Sequence, residues 1–139
     1  MKKMLSTVLA ISILMSCMFV HVVAEEIQPR NSNYFISYGT AVSHQGGGTL
    51  LITFDATALN IADQLGVATY SVDKLTDEGW VNVSGSLSGQ TGSGVVSYTY
   101  SRYFFGVPGE TYRVNVTFVC SMNGGLETKS VTSGIVTAN

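Results

Sequence analysis

The stretch that most restricts this chain is Tyr112-Arg113-Val114-Asn115-Val116-Thr117-Phe118-Val119-Cys120. Tyr112, Val114, Val116, Phe118 and Cys120 fall on one side of a period of two; Arg113, Asn115 and Thr117 fall on the other. Successive side chains point to opposite faces of a strand, so the pattern predicts a β-strand with one buried face. Turn residues close it at both ends: Val107-Pro108-Gly109-Glu110-Thr111 before it, Asn123-Gly124-Gly125 after it.

Six more segments read as strands: 34–44, 49–57, 67–75, 80–87, 95–104 and 126–136. Tyr34, Ile36, Tyr38, Thr40 and Val42 are the expected inner set of the first. Leu50, Ile52, Phe54 and Ala56 serve the second, and Ala68, Tyr70 and Val72 the third. Thr76-Asp77-Glu78-Gly79 is a hairpin turn, and the Gly/Ser-rich run 88–94 is the most mobile loop expected. Leu59, Ala62 and Leu65 recur at three-residue spacing, which predicts a crossing loop with a short helix over 58–65. Short strands separated by turns every ten or so residues, with no βαβ alternation, give an all-β fold. The architecture expected is an immunoglobulin-like antiparallel β-sandwich of about seven strands.

The first 24 residues read differently. Lys2 and Lys3 precede an apolar run from Met4 to Val23, and Val22-Val23-Ala24 offers a cleavage site before Glu25-Glu26. This is the layout of a secretory signal peptide. A run of this length is also long enough for a membrane anchor. Leu14-Met15-Ser16-Cys17 is an imperfect lipobox that would anchor the chain through lipid on Cys17. The division expected is a signal peptide, 1–24, a flexible segment, 25–33, and a sandwich domain, 34–139. The product is secreted, with no membrane association once the signal is cut.

Removal of the signal takes Lys2 and Lys3, leaving five basic side chains against nine acids. Scattered basic residues on an acidic chain argue against nucleic acid as a partner. Cys120 and His44 are then the remaining cysteine and histidine, so no intramolecular disulfide forms and no multi-histidine zinc site exists.

Val107-Pro108-Gly109-Glu110-Thr111-Tyr112-Arg113-Val114-Asn115-Val116 resembles the sixth-strand segment of fibronectin type III and related sandwich domains. The resemblance implies that the Tyr112 hydroxyl bonds back to upstream backbone. The chain also resembles, nearly end to end, small secreted proteins of Gram-positive bacteria of uncharacterised function. The shared features are Ala24-Glu25-Glu26-Ile27-Gln28-Pro29-Arg30, the Trp-bearing hairpin Lys74 to Trp80, the Gly-Glu-Thr-Tyr-Arg-Val strand and Glu127-Thr128-Lys129-Ser130. That likeness implies secretion and fold, and no activity.

Candidate chemistry is thin. Cys120 is in phase with the buried face, where a cysteine acts as a small hydrophobe. His44 sits beside Gln45 and three glycines as a loop residue. No Gly-x-Ser-x-Gly elbow is present, and Gly46-Gly47-Gly48 lacks the lysine and helix of a phosphate loop. Asp73, Asp77 and Glu78 flank one hairpin without calcium-loop spacing. No catalytic residue, metal or cofactor is expected. The aromatics carry the remaining signal. Tyr103-Phe104-Phe105 cannot all point one way, and Trp80 adjoins a turn. Trp80, Tyr103, Phe104 and Phe105 are therefore the expected interaction surface of a non-enzymatic monomer, for a protein partner or a cell-wall glycan. On this reading Val116→Asp prevents folding and Asn115→Asp is tolerated.

Overall fold

The structure, a computed structural model, describes residues 32–139. The signal peptide, the Cys17 lipobox and the segment up to residue 31 lie outside the described residues. Ten strands follow one another: β1 (Phe35–Gly46), β2 (Thr49–Ala62), β3 (Gln64–Thr76), β4 (Gly79–Asn82), β5 (Leu87–Ser88), β6 (Thr91–Gly92), β7 (Val95–Phe105), β8 (Thr111–Met122), β9 (Gly125–Thr132) and β10 (Val136–Thr137). They form two antiparallel sheets. Sheet A runs β1-β2-β7. In sheet B, β3 and β8 are central; β4, β5 and β6 pair with the far side of β3, and β9 and β10 with the far side of β8. Counting each interrupted edge as one strand, three strands face four, and the fold is the expected all-β sandwich.

The period-two reading of β8 holds except at Val119, which is buried on the opposite phase. Tyr112, Val114, Val116, Phe118, Cys120 and Met122 are buried. They meet Leu50, Ile52, Phe54 and Ala56 of β2 in one core. Each such large side chain contributes roughly 1.5–3 kcal/mol by leaving water. Aromatic pairs knit the core: Phe54 stacks on Tyr100 within sheet A at 4.7 Å, while Phe54 with Tyr70 of β3 at 5.0 Å and Tyr38 of β1 with Phe118 of β8 at 5.8 Å join the two sheets.

Two strands depart from simple alternation. In β1 a bulge between Phe35 and Ser37 makes Ile36 the extra residue. Phe35 is then buried and Ile36 exposed, the reverse of the expected phase. In β3 a bulge between Val67 and Thr69 turns Ala68 outward and Val67 inward, while Tyr70 and Val72 keep their predicted side. A bulge puts two residues opposite one, so everything before it changes face.

The helix expected over 58–65 does not form. β2 runs on to Ala62, and β3 begins at Gln64. Asp63 is the corner between the sheets: its N–H donates to the Ser121 carbonyl, and its carboxylate accepts from the Asn123 N–H. Ala62 and Leu65 are buried but Leu59 is exposed, so the three-residue spacing did not mark one buried stripe.

The expected strand over 80–87 ends early, at Asn82, and the run 88–94 is not a free loop. β5 and β6 lie against β3, with Val67 N–H donating to the Gln90 carbonyl and Gly89 N–H to that of Ala68. The close approach needs glycine at position 89, where a Cβ would sit 2.2 Å from the Val67 carbonyl oxygen.

Both edges of sheet B break at a serine. Val72 N–H donates to Ser84 Oγ, and Val114 N–H to Ser133 Oγ, each at 2.8 Å. Val72 and Val114 are register partners, so one row of the sheet is capped by a hydroxyl at each side. The last strand is accordingly two pieces, β9 and β10, and not one run over 126–136.

The corner tyrosine stands as the fibronectin-like segment implied. Tyr112 is buried and its hydroxyl accepts from Val107 N–H at 2.8 Å. Gly106 leaves room for it, since a Cβ there would meet the ring at 2.9 Å.

Candidate functional site

The four aromatics singled out by sequence do not share a surface. Tyr103 and Phe105 project from the outer face of sheet A, 63% and 81% exposed. Phe104, between them, turns inward and packs edge-on against Tyr112 at 5.6 Å. Trp80 belongs to the outer face of sheet B, on the other side of the sandwich, paired across the hairpin with Leu75. Alternation along β7 dictates the split between 103, 104 and 105.

The middle of the outer face of sheet A is small-featured; Tyr103 and Phe105 stand out toward one end, and Leu59 and Ile61 are exposed toward the other end of β2. Ser37, Gly39, Ala41 and Ser43 of β1 lie beside Thr57, Asp55, Thr53 and Leu51 of β2, which lie beside Ser97, Thr99, Ser101 and Tyr103 of β7. Hydroxyls bridge the strands: Thr53 Oγ1 and Ser101 Oγ are 3.1 Å apart, and Thr99 Oγ1 donates to Asp55 at 3.3 Å. Against this low relief Tyr103 and Phe105 stand proud, with Leu51 opposite Tyr103. Both belong to β7, which in sheet A pairs only with β2; among the described residues its outer edge has no strand partner.

The outer face of sheet B carries a bonded row across all four strand positions. Arg113 of β8 stacks its guanidinium over Trp80 of β4, 4.4 Å from the ring centroid. Its Nε donates to Asp73 Oδ2 of β3 at 3.0 Å. The same oxygen accepts from Asn115 Nδ2 at 2.7 Å, and Asn115 Oδ1 accepts from Thr132 Oγ1 of β9 at 2.9 Å. Asp73 is the one buried carboxylate described, 7% exposed, and this row supplies its partners. Beside the row lies a shallow groove of about 330 Å³. No single segment of sequence announces it, because its walls come from β3, β4, β8 and β9. The row also revises one expectation: Asn115→Asp would bring a second carboxylate against Asp73, so that substitution is no silent control.

The reactive residues stay apart. Cys120 is free, fully buried and opposite Leu65; burial, with the Glu127 charge adding to it, pushes its thiol pKa up. His44 is exposed on β1, opposite Leu50, in the other sheet. Asp77 and Glu78 are exposed at the hairpin tip, where the Thr76 hydroxyl closes the turn on Gly79 at 2.8 Å. Among the described residues no three His, Cys, Asp or Glu side chains gather as a metal site.

Glu127 of β9 is a structural anchor that sequence reading passed over. Its carboxylate accepts from the N–H groups of Asn33 and Tyr34 and from Ser32 Oγ, and pairs with Lys129. Desolvation pushes its pKa up, but the Tyr34 N–H, Lys129, Ser32 and Asn33 donors together outweigh that and leave it below the ordinary carboxylate value. The chain matches no family model, and no curated protein searched matches it.

Proposed function

We infer that this is an exported, non-catalytic binding module, acting as a monomer, that holds a protein partner against the outer edge of sheet A. One observation carries this reading: the two most exposed aromatics of the described chain stand together on an edge strand whose outer side is unpaired. An extended peptide can add to such an edge by main-chain hydrogen bonds, and Tyr103 and Phe105 would cover its side chains. Tyrosine and phenylalanine supply large contact area at low entropic cost. Export is supported by Lys2-Lys3, the apolar run to Val23 and the Ala24 site, and by the likeness to small secreted proteins of Gram-positive bacteria.

The test is retention on the envelope of the producing cells. Wild-type chain partitions to the envelope, and Tyr103→Ser/Phe105→Ser shifts it to the medium by about tenfold, as loss of two contact aromatics implies. Protease treatment of the envelope abolishes retention. Equal partitioning of the variant, with an unchanged unfolding midpoint, overturns the reading.

A further inference from the structure

We propose that the groove on the outer face of sheet B is a second binding site, for a neutral saccharide. The claim is independent of the edge of sheet A, which lies on the opposite side of the sandwich. Its walls present Thr69 and Ser71 from β3, Asn82 from β4, Asn115 and Thr117 from β8 and Thr132 from β9. These side chains are hydroxyls and carboxamides, which offer donors and acceptors without charge. The rest of the lining, Tyr70, Ser86, Val116, Ser130 and Val131, adds hydroxyls and some apolar surface and is likewise uncharged. The complement of such a surface is a ligand dense in hydroxyl groups and without net charge.

The charges nearby strengthen that assignment. Asp73 and Arg113 are committed to each other within the sheet at 3.0 Å, and Arg113 is further held on Trp80. An anionic ligand would have to draw Arg113 away from a carboxylate that is 7% exposed, leaving that carboxylate buried beside one fewer cation.

The groups that would do the binding are already aligned. Asn115 is fixed at both ends of its amide, Nδ2 on Asp73 and Oδ1 on Thr132. One Asn115 amide hydrogen and the lone pairs of the Thr132 hydroxyl remain for a ligand. Asn82 is held at one end, its Oδ1 accepting from Gly85 N–H at 2.7 Å, which leaves its amide hydrogens for a ligand. Side chains that need not be ordered on binding cost less affinity. The groove's 330 Å³ is at the lower end of the ~300–1,000 Å³ typical of small-molecule sites, which fits a short stretch of a glycan chain.

The experiment uses the full exported chain, isotope-labelled, with amide resonances followed during titration. The probes are neutral gluco-oligosaccharides, neutral N-acetylglucosamine oligosaccharides and, as the charged comparison, polygalacturonate. At least one neutral probe should shift the amides of Ser71, Asn82, Asn115, Thr117 and Thr132, with affinity changing less than about twofold between roughly 0.05 and 0.5 M salt. Asn115→Leu should weaken that binding about tenfold. Thr117→Val, which removes an outward hydroxyl and cannot threaten the core, should weaken it about threefold. Ser43→Ala, on the other sheet, should bind as wild type. The proposal falls if neither neutral probe moves the groove amides at millimolar concentration, if only polygalacturonate moves them, or if Thr117→Val binds as tightly as wild type.

Discussion

Single side chains do two jobs here that composition conceals. Tyr112 belongs to the apolar face of its strand, yet its hydroxyl is spent on one backbone N–H, that of Val107. Tyr112→Phe keeps the ring and leaves that N–H without its partner. It should lower unfolding free energy by about 1 kcal/mol with no change in the slope of urea denaturation. A midpoint equal to wild type would show that the corner is held by packing alone. The same residue shows why sequence could reach this far: the alternation from Tyr112 to Cys120 assigns its face, and the resemblance of segment 107–116 to fibronectin-like sandwich domains implied the corner. Asn115 shows the opposite. Its phase was legible, but its tie to Asp73 and Thr132 depends on register across three strands, which no local pattern encodes.

At the level of elements, the long alternating strands could be read and the interruptions could not. A β-bulge adds one residue without a composition signal, so Ile36 and Ala68 were assigned to the wrong face. Residues 58–65 looked helical because alanines and leucines at three-residue spacing suit either structure; the antiparallel extension of β2 decided it. The groove is hidden for a related reason. Serines and threonines scattered along four strands look like solvated faces until the sheet sets them side by side. The start of β1 makes a further case. Residues Ser32 to Tyr34, which lead into it, are held to β9 by the Glu127 carboxylate, whose pKa is depressed in the fold. A depressed carboxyl adds stability above its unfolded value, about 4.3, and that stability is lost as pH falls toward the folded value. Wild type should therefore be level from neutral pH down to roughly 5 and then decline more steeply than Glu127→Gln. Superimposable acid limbs in thermal melts would show that Glu127 contributes nothing to the anchoring of β1.

Over the whole molecule, the division of labour follows from the sandwich itself. Inner faces are filled by a core that includes the thiol of Cys120, and outer faces hold the exposed aromatics and the polar groove. The two proposed binding surfaces then lie on opposite sides of the interior. This rests on β8 sending alternate residues in and out, and adjacent positions 116 and 117 report on it most directly. Val116 is 2% exposed, whereas Thr117 is on the outer face. The measurement is urea unfolding of Val116→Asp and Thr117→Asp side by side. An unpaired charge in the core costs several kcal/mol, so Val116→Asp should show no cooperative transition, while Thr117→Asp should remain within about 1 kcal/mol of wild type. Two variants equally destabilised, or Val116→Asp folding as wild type does, would contradict the account.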